Sequence, residues 1–391
     1  MKILSLLIYC VCFLFGAMPV KAQVNFVPVF VSGTEGYRSF RIPALITCPN
    51  WELLAFCEGR VCWAGDFGNI DLVMKRSVNG GATWSPLQVV AEFGELQVCC
   101  PAPVVDLSDP AFPKGRIFVF YNTGNNHEGE VIKGNGIKLC KYVASEDNGK
   151  TWSAPVDITT QVHRPKRPEV DAAFNFSEDW RYYANTPGHA IQLQSGKYQG
   201  RIYVAANHSA GDPQKAAGHY AAHGYYSDDH GKTFKLAATV DLPGSNESMA
   251  VELSNSRLMM NSRNQRGDIR ARIVTLSNDG GATWEKPRFD ATLIDPVCQG
   301  SILGFGFENG KRVVAFCNAA DTRRRDNLTL RISMDEGATW ARSFPLAKAP
   351  EGTRGDFAAY SDMAQLDPAH IGVLYEREGY SQIVFAKVAW K

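Results

Sequence analysis

One eight-residue pattern recurs five times along the chain, and it constrains the fold more sharply than any other feature. It runs from Ser77 to Trp84 (SVNGGATW), Ser145 to Trp152 (SEDNGKTW), Ser227 to Phe234 (SDDHGKTF), Ser277 to Trp284 (SNDGGATW) and Ser333 to Trp340 (SMDEGATW). The third position, Asp or Asn, hydrogen-bonds nearby amides and starts a tight turn. The glycine at the fifth position supplies positive φ, and the Thr and aromatic residue are expected to enter a strand with the ring packed into a sheet. Each copy is therefore read as a β-hairpin turn. Strand-like runs such as Asp71–Arg76 and Leu328–Ile332 precede four of the five.

The spacing predicts a β-propeller. The copies begin at 77, 145, 227, 277 and 333, a mean step of (333 − 77)/4 = 64 residues. Divided into the 391 − 22 = 369 residues that follow a leader, this gives about 5.8, so the expected architecture is all-β with six four-stranded blades. The run Val24–Val31 is expected to pair beside Ile383–Trp390 and close the ring, which removes exposed edges. No linker or low-complexity stretch divides the chain, so residues 23–391 are read as a single β-propeller domain. The repeated Asp147, Asp229, Asp279 and Asp335 are read as structural, and Asn79 replaces the Asp in the first copy.

The first 22 residues read as a signal peptide: Lys2, an apolar run from Ile3 to Met18, then Val20-Lys21-Ala22 as a cleavage site. The apolar run of 16 residues falls short of the roughly 20 a membrane helix needs, and no later segment is long and apolar enough to cross a bilayer. An exported protein is expected, periplasmic, cell-surface or extracellular. Beyond the leader lie eight cysteines: Cys48, Cys57, Cys62, Cys99, Cys100, Cys140, Cys298 and Cys317. None forms a metal-binding spacing, and most are read as buried free thiols. Lys and Arg total 41 against 40 Asp and Glu, so no basic excess points to nucleic acid.

Chemistry is carried between the repeats. In YRSFRIPAL (Tyr37 to Leu45), Arg41 sits in an apolar strand. It is either a rim residue held in a salt bridge or an anion-binding group at the mouth of the propeller. Here the chain resembles the bacterial and animal exo-alpha-sialidases (neuraminidases) of the Asp-box or BNR-repeat superfamily, whose first blade carries an F/Y-R-I-P motif. The resemblance covers nearly the whole chain beyond the leader. It implies that Arg41 is one of three arginines that clasp a substrate carboxylate. The second is Arg263, sixteen residues after Glu247 of the segment NESMAVEL, and the third is Arg325, before Asn327-Leu328-Thr329, with Arg323 and Arg324 as neighbours. Guanidinium forks suit this task because they bind carboxylate bidentately and stay charged.

The resemblance also implies that Glu376 holds Arg41 in place and that Tyr360, in Ala359-Tyr360-Ser361-Asp362, is the nucleophile with Glu247 as its base. A free phenol, with a pKa of about 10, needs such a partner. Asp66, in the loop Ala64-Gly65-Asp66-Phe67-Gly68, is implied as acid/base, with Asp71 as a competitor better read as structural. Arg60 is implied to line the site, and Glu252 to stand behind it. Segments Gln97–Pro101 and Asn125–Glu130 are expected to form rim loops. The activity implied is retaining hydrolysis of terminal sialic acid from sialylated glycans through a sialyl-tyrosine intermediate, by a monomer without metal or organic cofactor. A trans-sialidase or intramolecular trans-sialidase would use the same residues. An inactive propeller acting as a sialic-acid lectin is the other alternative, and the set Asp66, Glu247 and Tyr360 argues against it.

Overall fold

Each repeat closes a turn through its own side chains. In the third copy, Gly231 N donates to Ser227 Oγ (2.8 Å), Thr233 N to Asp229 Oδ1 (2.9 Å) and Thr233 Oγ1 to Asp229 Oδ2 (2.6 Å). Gly231 has φ +78° and a Cβ there would lie 2.8 Å from the Phe118 ring, so both backbone angle and space require glycine. Asn79 reproduces the contacts in the first copy, accepting from Thr83 N and donating to Thr83 Oγ1. The aromatic that ends each copy precedes the next strand instead of entering it. It acts as a wedge toward neighbouring strands: Trp84 packs on Phe385 (5.5 Å between ring centroids), Phe234 on Phe120 (5.6 Å) and Trp284 on Tyr203 (6.1 Å).

The computed structural model describes residues 25–391; the leader expected over 1–22 lies outside them. The fold is an all-β propeller. Four antiparallel sheets stand as separate blades. One contains Trp180–Asn185, Ile202–Ala210, Tyr220–Ser227 and Lys235–Leu236, with Ile191–Gln192 beside the second strand. The next two are Ser245–Glu252, Leu258–Asn264, Ala271–Ser277 and Arg288–Ile294, then Gly300–Glu308, Lys311–Ala319, Leu328–Ser333 and Arg342–Ala347. The last joins Ala358–Asp367, His370–Arg377 and Gln382–Ala389 to the N-terminal strand Phe26–Val31, which pairs with Gln382–Ala389 and closes the ring as expected.

The expectation of six separate blades is corrected by the remaining strands, which form one continuous eight-stranded sheet. It contains Ser39–Thr47, Leu53–Arg60, Ile70–Ser77, Gln97–Asp106, Arg116–Gly124, Lys138–Ser145 and Val156–Asp157, with Gln88–Ala91 on the flank of Ile70–Ser77. The physical reason is local. Gln88–Ala91 pairs only with Leu72, Val73 and Met74, so the start of Ile70–Ser77 is left open. Gln97 bridges Ile70 in parallel there and fuses the two halves. The repeat spacing counts turns, and it cannot register a bridge between strands separated by a turn. A second correction follows: Gln97–Pro101 belongs to a buried strand, not to a rim loop. Asn125–Glu130 does leave the sheet, and it runs into a short helix, Glu128–Ile132.

Apolar side chains pack between adjacent sheets, as in the cluster that joins Val313, Leu330 and Ile332 to Val373, Val384 and Trp390. Burial of this kind supplies the main folding drive, about 25 cal/mol per Å² of apolar surface. The strands Ser39–Thr47, Gly300–Glu308 and Ala358–Asp367 pack side by side at the centre. There Asp362 accepts from Leu45 N (2.8 Å) and His189 N (2.9 Å), and Gln299 pairs with both backbone groups of Ser361. These cross-links hold the segment carrying Tyr360. No helix among the described residues is long and apolar enough to cross a membrane.

Candidate active site

A cavity of about 310 Å³ opens at the centre, lined by Arg41, Arg60, Asp66, Glu247, Arg263, Arg325 and Tyr360 together with Glu58, Gln97, Cys99, Cys100, Glu128 and Tyr182. Its size is at the lower end of the roughly 300–1,000 Å³ typical of ligand sites. Seven of the eight side chains selected from the sequence thus converge on one space. The eighth, Glu376, is fully buried directly behind Arg41.

Arg41 is aimed by a break in its strand. Pairing of Ser39–Thr47 with Leu53–Arg60 shifts register between Arg41 and Ala44, and Ile42 has φ +61°. Such a bulge re-aims a side chain. Glu376 then accepts four donors: Arg41 Nε (2.6 Å), Arg41 Nη2 (3.4 Å), Ile42 N (2.9 Å) and Tyr360 N (3.2 Å). One carboxylate therefore fixes both Arg41 and the backbone of Tyr360. The Arg41 guanidinium also lies 4.0 Å from the centre of the Tyr380 ring. Tyr380 donates to Asp356 and accepts from Arg325 Nη1 (3.1 Å), so it connects two of the three arginines. Arg325 is the member of its run that reaches the cavity; Arg324 is held by Asp326 and Thr353 O, and Arg323 is exposed.

Tyr360 is 6% exposed, and its phenol donates to Glu247 Oε1 at 2.6 Å. Arg263 Nη1 reaches Glu247 Oε2 (2.7 Å) and the phenol oxygen (3.0 Å). Strand pairing explains the meeting: Ser245–Glu252 lies antiparallel to Leu258–Asn264, with a register shift between Ser245 and Ser248. Burial pushes the Tyr360 phenol well above its usual pKa, Glu247 adds to this, and Arg263 and Arg325 oppose it. The phenol therefore keeps its proton, which is directed at Glu247. Arg263 Nε is buried without a partner among the described residues, a donor that a bound anion would satisfy.

Asp66 stands at the mouth with its side chain 78% exposed and pairs with Arg60 Nη1 at 2.7 Å. Partial burial raises its carboxyl pKa, but Arg60 and Arg41 outweigh that and hold it below the usual carboxylate range. Arg60 is in turn fixed by Glu58, two residues earlier on the same strand face, through contacts of 2.6 and 3.1 Å. Around the cavity four guanidiniums thus face five acidic side chains: Glu58, Asp66, Glu128, Glu247 and Glu376. The competitor Asp71 lies elsewhere, and Glu252, expected behind the site, does not stand there. Asp71 accepts from Tyr37 Oη (2.8 Å), and Glu252 accepts from Gln194 N and Ser195 N on the far side of the channel. Glu58 and Tyr380 escaped the sequence reading. Alternation with Arg60 could have pointed to Glu58, but nothing local marks Tyr380, which meets Arg41 only through folding.

The profile of a protein family described as a BNR repeat-like domain matches residues 52–373. The chain is 31% identical over 365 residues to a sialidase of Micromonospora viridifaciens, covering 88% of this chain and 51% of that protein. It is 28% identical over 364 residues to a sialidase of Bacteroides fragilis (strain YCH46), covering 88% and 61%. Between half and two thirds of the length of these curated relatives is therefore spanned. Among solved structures, the Hadza microbial sialidase Hz136 superposes with a TM-score of 0.78 at 25% identity, over 93% of this chain and 68% of that one.

Proposed function

The chain belongs to the BNR repeat-like domain family, and from that premise we propose that it is a retaining exo-sialidase whose catalytic unit is residues 23–391. The observation that carries the reading is the 2.6 Å hydrogen bond from Tyr360 to Glu247 inside a cup formed by Arg41, Arg263 and Arg325. The arginines take the substrate carboxylate. Tyr360 attacks the anomeric carbon while Glu247 accepts its proton. Asp66 protonates the leaving oxygen and then activates the water that releases the sugar. A neutral phenol suits an anomeric carbon that bears a carboxylate, because a carboxylate nucleophile would approach like charge.

The charge balance bears on how Asp66 obtains its proton. The bound carboxylate neutralises part of the field from Arg41 and Arg325 that holds the Asp66 pKa down. Binding therefore raises the Asp66 pKa toward the range of a general acid. The enzyme is read as a monomer outside the cytoplasm, acting on sialylated glycans without a cofactor.

The test is turnover of a fluorogenic sialoside by wild type and Tyr360→Phe, with NMR of the first product. Wild type is expected to release the α-anomer of sialic acid. The variant is expected to lose about a thousandfold or more in kcat while retaining affinity for a sialic acid analogue. Binding without turnover in wild type would replace the proposal with a lectin. An anhydro sugar or a sialylated acceptor as product would replace hydrolysis with transfer.

A further inference from the structure

The paired cysteines Cys99 and Cys100 have no role in the mechanism above, yet both line the cavity. Consecutive strand residues point to opposite faces, so neighbouring cysteines in a strand are ordinarily kept apart. Here the strand is distorted. Register with Arg116–Gly124 shifts between Cys99 and Ala102, and Cys100 has φ +59°. As a result both sulfurs and a Glu58 carboxylate oxygen lie within 4.8 Å of one another.

The second observation is Lys138. Its side chain is 1% exposed, and its ammonium is bonded to Gln97 Oε1 and lies 3.6 Å from Cys99 Sγ. Among the described residues it forms no ion pair with a carboxylate. A buried ammonium needs a counter-charge, and of its two hydrogen-bond partners among the described residues, Gln97 and Cys99, the Cys99 thiolate is the one that can supply it. The Cys100 thiol lowers the Cys99 pKa, burial opposes this, and Lys138 adds to the lowering. A metal cation is a poor occupant, because Arg60 and Lys138 flank the cluster and Glu58 already accepts from Arg60 and from Cys100 N (3.0 Å).

We propose that Cys99 and Cys100 form a thiol-exchange site on the cavity wall that takes small carboxylate-bearing disulfides, the cystine class, drawn in by the arginine cup. The Cys99 thiolate attacks one cystine sulfur, the cystine S–S bond breaks, and one cysteine leaves as thiolate. Cys100 then attacks Cys99 Sγ of the mixed disulfide and loses its thiol proton to solvent. The second cysteine leaves and a Cys99–Cys100 disulfide remains. The protein dithiol is oxidised by two electrons and cystine is reduced to two cysteines. Bridging pulls on Cys100 N and hence on Glu58, Arg60 and Asp66, so turnover falls; this last consequence alone rests on the sialidase reading.

The experiment is peptide mass mapping of the intact protein after incubation with cystine, with sialoside turnover followed in parallel. The peptide containing Cys99 and Cys100 is expected to become lighter by two hydrogens, reversibly with dithiothreitol. Cystamine, a cationic disulfide, is expected to react about tenfold more slowly. Cys100→Ser should stop at cysteinylated Cys99, and Cys99→Ser should leave Cys100 unmodified. In wild type, the rate of Cys99 alkylation by iodoacetamide should inflect at a pH below the ordinary thiol value of about 8.5. An unmodified Cys99–Cys100 peptide in a sample whose exposed Cys62 has reacted overturns the proposal, as does an inflection at or above 8.5. Failure of bridging with normal turnover sinks this site alone; bridging in a protein that turned over no sialoside before cystine was added sinks the functional reading alone.

Discussion

Replacing Glu376 by glutamine removes one negative charge from behind the cavity and leaves the side-chain shape almost unchanged. The carboxylate accepts at Oε1 from Arg41 Nε and Ile42 N, and at Oε2 from Arg41 Nη2 and Tyr360 N. A glutamine can keep the first pair through its carbonyl oxygen. Its NH2 group then faces two donors, and two hydrogen bonds worth about 1 kcal/mol each are lost. The larger effect is the Arg41 guanidinium, 8% exposed and stripped of its counter-charge. Removing one partner of a buried pair costs about 3–5 kcal/mol, and we expect that total for Glu376→Gln. The measurement is the urea unfolding midpoint of wild type and variant, each with and without a sialic acid analogue. In the bound state the ligand carboxylate supplies Arg41 with a replacement charge, so the gap between the proteins should narrow. A loss below about 1 kcal/mol without ligand would refute the role of Glu376 as the counter-charge of Arg41. A gap that the analogue leaves unchanged would refute Arg41 as an anion-binding group.

Three further outcomes are expected. Asp66→Ala should lose about 10²–10⁴ in kcat/KM on natural glycans but much less on an aryl sialoside whose leaving group needs no proton; equal losses on both would refute the acid role. Asp229→Ala removes the acceptor of Thr233 N and Thr233 Oγ1 and should cost about 1–2 kcal/mol of stability without changing kcat, and a selective loss of kcat would contradict its structural assignment. His163, His208 and His223 are buried neutral, their pKa values pushed down by burial, that of His223 to about 3. Their folded pKa values lie below the unfolded value near 6.5, so the stability they carry is present above that pH and lost as pH falls below it. Among the described residues His163 has no partner at either ring nitrogen. His163→Leu should therefore flatten the decline of the urea midpoint between pH 7 and pH 5, and an unchanged slope would refute the account.

The repeated turns were legible in the sequence because each is made by contacts within eight residues: the hydroxyl, the carboxylate and the glycine of a copy need nothing from the rest of the chain. The closing strand at the N-terminus was legible for a related reason, since its apolar run has few other edges to pair with. Arg41, Arg60, Asp66, Glu247, Arg263, Arg325, Tyr360 and Glu376 could be selected through the resemblance to a known family, but a matching motif does not bring side chains together. Folding alone set the 2.6 Å from Tyr360 to Glu247, put Tyr380 between Arg41 and Arg325, and placed Lys138 against Cys99. It also decided that Gln97 bridges Ile70 and merges two groups of strands. These pairings depend on which strand edges and side chains lie side by side in three dimensions, and residues far apart in the chain carry no local trace of that.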